Sequence, residues 1–225
     1  MSKKFILIIV GVVLIGMLTA FLAFPRTATL VINGESQTIS THALTVAGVM
    51  RQAGIPVSTE DRLDPPLSAW VKPRMTIQLD QAQAVTIAIL PAGDVLELSS
   101  PLHRPSDWLA EAGLLLGDRD RLTLNGLPVD PDQVLAFTPQ LLLELHQAVQ
   151  INLREEGASQ SLFSSAATLG QALWAAGIAL SPADAVSLPL DTPLTGPLDV
   201  EINRAARVTI QISGEEISVP SASAS

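Results

Sequence analysis

The sequence predicts an α+β chain in which an N-terminal transmembrane helix precedes a tandem array of small β-plus-α modules. Three observations predict it. A charge-free apolar run occupies Phe5 to Phe24, a glycine-centred pattern recurs three times after it, and each recurrence is flanked by the same order of alternating and helical periodicities.

The apolar run comes first. Its 20 residues carry no charged side chain, and at about 1.5 Å per residue a helix of that length covers roughly 30 Å, the thickness of a bilayer's hydrocarbon core. Lys3 and Lys4 precede it, so the positive-inside rule keeps residues 1–26 as a cytoplasmic stub plus anchor and places everything after Pro25 outside the cytoplasm. A cleaved signal peptide is the alternative. It is disfavoured because the exit Ala20-Phe21-Leu22-Ala23-Phe24-Pro25 puts bulky residues where a small-residue cleavage site belongs. In either case the rest of the chain is exported.

The glycines Gly54, Gly113 and Gly177 sit in the related stretches Arg51-Gln52-Ala53-Gly54-Ile55, Ala110-Glu111-Ala112-Gly113-Leu114 and Ala175-Ala176-Gly177-Ile178. An aspartate follows each glycine by seven residues, at Asp61, Asp120 and Asp184. Before each glycine lies an alternating strand, with inward sets Ala28, Leu30, Ile32; Val85, Ile87, Ile89; and Val149, Ile151, Leu153. A fourth such strand, Val208, Ile210, Ile212, begins again near the end. Hairpin turns are expected at Asn33-Gly34, Gly93, Gly157 and Ser213-Gly214, Asn-Gly being a strong signal for such a turn.

A short amphipathic helix comes next. Val46, Val49, Met50 and Ala53 share one face, as do Leu169, Ala172, Leu173 and Ala176. Thr45 and Thr168 stand at N-cap positions, Pro105 takes the first turn of the middle helix, and the shared glycine closes each helix. A Pro-rich loop such as Asp64-Pro65-Pro66-Leu67 leads to a last strand at Met75 to Leu79, Leu141 to Leu145 or Leu198 to Ile202. The expected division is therefore residues 27–83, 84–147 and 148–206 as three modules, with 207–225 as the first hairpin of an incomplete fourth. Linkers of a few residues, such as Gln81 to Ala84, favour a semi-rigid string.

This arrangement resembles the domain-of-unknown-function 348 repeat of bacterial surface proteins, among them the resuscitation-promoting factors and related cell-wall proteins. The resemblance covers Ala28 to about Ala206. The middle unit departs most, with Arg104-Pro105 replacing the threonine-led helix start and with Asn125-Gly126 and Asp130-Pro131 in its loop. The resemblance implies a ubiquitin-like, β-grasp fold for each unit. It also implies a place between an N-terminal membrane or signal segment and a C-terminal module, often a glycine-rich adhesive domain followed by a peptidoglycan-cleaving one.

The expected function is a membrane-anchored, extracytoplasmic stalk or scaffold at the bacterial cell surface, wall-associated and non-catalytic. Its expected partners are the membrane, through Phe5 to Phe24, and peptidoglycan or another surface component. The alternative is the anchor and stalk of a lytic transglycosylase or muramidase whose catalytic domain lies outside this chain.

Composition closes several other chemistries. Neither cysteine nor tyrosine occurs, which removes disulfides, thiolate metal sites and cysteine nucleophiles. A formal net charge of -9 repels phosphate backbones, so nucleic acid is not an expected partner. No Gly-x-Ser-x-Gly elbow or phosphate loop is present. The histidines His42, His103 and His146 lack metal-site spacing. The repeated aspartates read as turn-forming groups, and no catalytic, cofactor or metal residue is expected.

The tryptophans fall into two groups. Trp108 aligns with the core positions Val49 and Ala172. Trp174 aligns with Arg51 and Ala110 on the polar side of the helix, and Trp70 lies in the Pro-rich loop. Trp174 and Trp70 are the candidate contacts, for a sugar ring or, by preference, a neighbouring module.

Overall fold

The structure is a computed structural model that describes residues 11–12, 25–212 and 215–221, with side chains as far as residue 205. Its contacts group into two compact units. One runs through Ala84 and takes in Ser99–His103 and Val134–Gln140; the other holds Val85–Leu98, Arg104–Gln133 and everything from Leu141.

In the first unit, β1 (Arg26–Ile32) and β2 (Glu35–Thr41) form the hairpin, followed by α1 (Val46–Ala53), β3 (Arg62–Asp64) and β4 (Met75–Asp80). The sheet order is β2-β1-β4-β3, and β4 lies parallel to β1 with Ala28 opposite Met75 and Leu30 opposite Ile77. Helix α1 packs on one face of this sheet. The core consists of Ala28 and Leu30, Val46, Val49 and Met50, Val71, Ile77 and Leu79. Asn33 and Gly34 both adopt positive φ in the hairpin turn, as the Asn-Gly pair requires.

The Thr45 side chain accepts the Gly48 N–H, and Gly54 ends the helix in the left-handed conformation at φ 71°. The other free N–H groups of the first turn find partners in the Pro-rich loop: Val46 donates to Ala69 O at 3.0 Å and Ala47 to Leu67 O at 2.9 Å. The loop is thus tied down by the start of the helix. Two later segments join this unit through Gln83, a buried side chain whose Nε2 donates to Leu102 O while its Oε1 accepts from Thr138 N.

The second unit contains most of a five-stranded sheet, ordered β6-β5-β9-β7-β8, from β5 (Gln83–Leu90), β6 (Asp94–Ser100), β7 (Arg121–Leu124), β8 (Leu127–Pro128) and β9 (Gln140–His146). Its helix α2 (Pro105–Glu111) buries Trp108 and Leu109. A second sheet, ordered β11-β10-β13-β12, follows from β10 (Val149–Glu155), β11 (Ala158–Ser164), β12 (Ala185–Val186) and β13 (Leu198–Asn203), covered on one face by α3 (Leu169–Ala175). It repeats the first unit closely, down to a parallel β10–β13 pair with Ile151 opposite Leu198. Thr168 caps α3 at Gln171 N, and Leu169 and Gly170 donate to Thr192 O and Leu190 O. Strands β14 (Ala206–Ile212) and β15 (Glu215–Ser221) form the last hairpin; its expected Ser213-Gly214 turn lies outside the described residues.

The expected fold class is corrected in two respects. The chain is mainly β rather than α+β, because each apolar helical stripe supports only seven or eight residues before its closing glycine, while short strands hold far more of the described residues. The expected transmembrane helix over Phe5 to Phe24 lies outside the described residues except for Gly11 and Val12. Among the described residues no helix is long and apolar enough to cross a membrane, a crossing that takes about 20 residues of helix.

Four strands had no counterpart in the sequence reading: β3, β7, β8 and β12. Two to four residues are too few for an alternation to register. The β7–β8 hairpin did leave a signal. Its turn is Asn125-Gly126, both at positive φ, in a stretch read as loop.

Candidate functional site

The recurrent polar feature of this chain is the aspartate seven residues after each helix-closing glycine. In all three repeats its two carboxylate oxygens are used in the same way. One accepts from a backbone N–H three residues earlier, and the other from an alanine N–H just beyond the last strand. Asp61 accepts from Ser58 N at 2.7 Å and Ala82 N at 2.8 Å. Asp120 accepts from Gly117 N at 2.8 Å and Ala148 N at 2.7 Å. Asp184 accepts from Ser181 N at 2.8 Å and Ala205 N at 2.9 Å. A carboxylate accepts only, so two converging N–H donors suit it better than any neutral side chain. The turn-forming role read from the sequence is thus half of the arrangement. The other half clasps the chain where it leaves one sheet for the next strand, across 21, 28 and 21 residues.

The third clasp is reinforced. Arg204 donates through Nη1 to Asp184 Oδ2 at 2.9 Å and to Ala179 O at 2.6 Å, and through Nε to Glu155. The Asp184 side chain is 5% exposed. Its pKa is held below the ordinary value of 3.8, first by the Ala205 N–H, then by the Ser181 N–H, with Arg204 helping and burial opposing. Arg204 shifts upward in turn, chiefly through its bond to Glu155. In the first repeat the reinforcement beside the Asp61 clasp is uncharged: Asn33 Oδ1 accepts from Gln81 N at 2.8 Å and its Nδ2 donates to Gln81 Oε1 at 3.0 Å.

A second repeated device precedes each helix. Thr41, Ser100 and Ser164 end the second hairpin strands, and each hydroxyl accepts from the N–H two residues on, at Ala43, Leu102 and Ala166.

The tryptophans separate as the self-alignment predicts. Trp108 is fully buried, while Trp174 is 81% and Trp70 66% exposed. Trp70 sits in an isolated bridge to Thr45, and Pro193 holds the equivalent place opposite Thr168. Trp70 belongs to the first unit and Trp174 to the second.

One polar cluster was not foreseen. On the outer face of the five-stranded sheet, Thr123 Oγ1 donates to Glu144 Oε2 at 2.6 Å and lies 3.3 Å from His146 Nε2, while Arg121 Nη2 lies 3.5 Å from Nδ1. A guanidinium only donates, so Nδ1 accepts and the ring proton sits on Nε2. Burial, then Arg121, lowers the His146 pKa from 6.5, with Glu144 opposing. The alternation of Leu141, Leu143 and Leu145 placed Glu144 and His146 together. Their partners lay on β7, a strand too short to be read.

Residues 28–68 and 156–191 match the family model of the G5-linked ubiquitin-like domain, domain of unknown function 348. The matches fall in the first and third repeats, and the five-stranded sheet lies between them. The chain is 24% identical over 212 residues to YabE of Bacillus subtilis, named as a cell wall shaping protein, covering 92% of this chain and 50% of that one. It is also 24% identical over 181 residues to the resuscitation-promoting factor Rpf2 of Corynebacterium glutamicum, covering 80% of this chain and 46% of that one. The chain therefore spans about half the length of the curated relatives it matches.

Proposed function

From the premise that this chain carries repeats of the G5-linked ubiquitin-like family, we propose that it is a non-catalytic stalk or scaffold at the bacterial cell surface, associated with the cell wall. The threefold aspartate clasp carries this reading. The carboxylates that recur in every repeat are engaged by backbone N–H groups at the exits of the sheets, which is how a spacer holds its joints and not how an acid or base is presented to a substrate. The names of the two relatives support the wall association. Trp174 and Trp70, both exposed, are the contact residues proposed for it.

The test is co-sedimentation of the purified chain with isolated peptidoglycan, alongside a peptidoglycan zymogram. Retention in the pellet without clearing of the gel is expected. Clearing would refute the non-catalytic reading, and absence from the pellet would refute wall association. Trp174→Ala should reduce retention with its melting temperature unchanged.

A second reading is favoured by one observation, that the chain covers only about half of each relative. On this reading it is the stalk of a peptidoglycan-remodelling enzyme, a lytic transglycosylase or muramidase. An open reading frame continuing past Ser225 into such a domain would support it, and an immediate stop codon would refute it.

A further inference from the structure

The sheet of the third repeat has one face covered by α3 and one open. On the open face the strand register stacks side chains in rows: Phe163 opposite Gln150, Ser161 and Asp199 on either side of Asn152, and Ser159 and Glu201 on either side of Arg154. The middle rows form one bonded ladder. Asn152 Oδ1 accepts from Gln150 Nε2 at 2.8 Å and from Ser161 Oγ at 2.8 Å, and Asn152 Nδ2 donates to Asp199 Oδ1 at 2.9 Å. Among the described residues the Arg154 guanidinium and the Ser159 hydroxyl make no hydrogen bond, and a depression of about 260 Å³ opens beside them. Phe163, 55% exposed, stands at the end of the ladder.

The fold does not demand this surface. The first repeat builds the same sheet with Thr29, Thr38 and Thr76 where the third has Asn152, Ser161 and Asp199, and with Ser40 in place of Phe163. Threonine is a good strand former; Asn and Asp are poor ones, and an exposed phenyl ring gains nothing by facing water. The third repeat therefore gives up local strand preference for a flat array of amide, hydroxyl, carboxylate and guanidinium groups bordered by an aromatic face.

We infer that this open face, centred on Asn152 and Phe163, is a binding platform for an uncharged, N-acetylated glycan strand. Such a strand offers hydroxyl and acetamido groups that both donate and accept, which matches the mixed array, and a C–H face that stacks on the Phe163 ring. Polyanionic polymers are disfavoured by Asp199 and Glu201 on the same face and by the net charge of -9. The inference rests on the wall-associated reading above and names the ligand class behind it.

The experiment titrates the full chain with an N-acetylglucosamine hexamer by calorimetry and, separately, measures retention on isolated peptidoglycan. Phe163→Ala and Asn152→Ala should each weaken hexamer binding by roughly tenfold, about the loss of one stacking contact or a few hydrogen bonds. Leu115→Ser, at an 89% exposed position of another repeat, should leave it unchanged. Circular dichroism melts confirm that each variant is folded, and Asn152→Gln, which keeps the amide, should restore part of the affinity in a folded protein. Retention on peptidoglycan with no hexamer binding, or hexamer binding indifferent to both variants, overturns the platform while leaving wall association standing. Absence of retention and of hexamer binding overturns both. Tighter binding of a polyanionic polymer than of the hexamer overturns the choice of an uncharged ligand.

Discussion

Removing the first clasp tests the central structural argument. In Asp61→Ala, two N–H groups lose a charged acceptor, at 2.7 Å for Ser58 and 2.8 Å for Ala82. A hydrogen bond to a charged group is worth about 1.5–3 kcal/mol when its partner stays dry. Ser58 is exposed, so its N–H turns to water and most of that bond is recovered. Ala82 is half-buried and recovers less. The expected loss is therefore about 2 kcal/mol, dominated by Ala82, which converts to roughly a 30-fold faster amide exchange at that residue.

Asp61→Asn is the sharper variant. Its single carboxamide oxygen can serve one N–H, and its NH2 group then confronts the other donor, so about half the effect should persist despite nearly identical shape. Native-state hydrogen exchange read at the Ala82 amide by NMR is the assay, with urea unfolding as the global counterpart. Unchanged protection of Ala82 in Asp61→Ala, or an Asn variant indistinguishable from the parent, would refute the clasp.

Three further outcomes follow from the same structure. The folded Asp184 pKa lies below 3.8, so its contribution to stability is complete above that value and is lost as pH falls through the lower folded value; Ala205 amide exchange measured down an acid series should show it, and Asp184→Asn should abolish the dependence. His146 behaves likewise around its own range: with the folded pKa below 6.5, the protein is more stable above pH 6.5 and loses stability as pH falls below it, which melts of the parent and of His146→Gln should separate. Trp108 is fully buried on α2, so Trp108→Ala should cost about 3–5 kcal/mol in urea unfolding, whereas Trp174→Ala, 81% exposed, should cost little.

The residues that were legible in advance are those whose signal is local. Leu30, Ile87 and Ile151 announce inward strand positions because period two needs only neighbouring residues, and all three are buried. Thr45, Thr168 and Gly54 announce helix ends because a cap is satisfied within a few residues, and each makes the bond or adopts the conformation expected. The mainly β character is hidden in the sequence for the same reason. Short amphipathic stripes read clearly as helix, while β3, β7, β8 and β12 are too brief to register and exist only because a longer strand lies beside them.

By itself, then, the sequence determined the threefold period, the hairpins, the capped helices and which tryptophan enters the core, since each depends on contacts between residues close along the chain. Only the tertiary structure decided that β4 and β13 run parallel to the first strands of their sheets, that Ala82, Ala148 and Ala205 are the second donors to the aspartates, and that Asn152 faces Ser161 and Asp199 on an open sheet. Those pairings join residues 9 to 47 positions apart. No periodicity encodes them; they arise when packing of the apolar faces sets the register and brings distant polar groups within bonding distance.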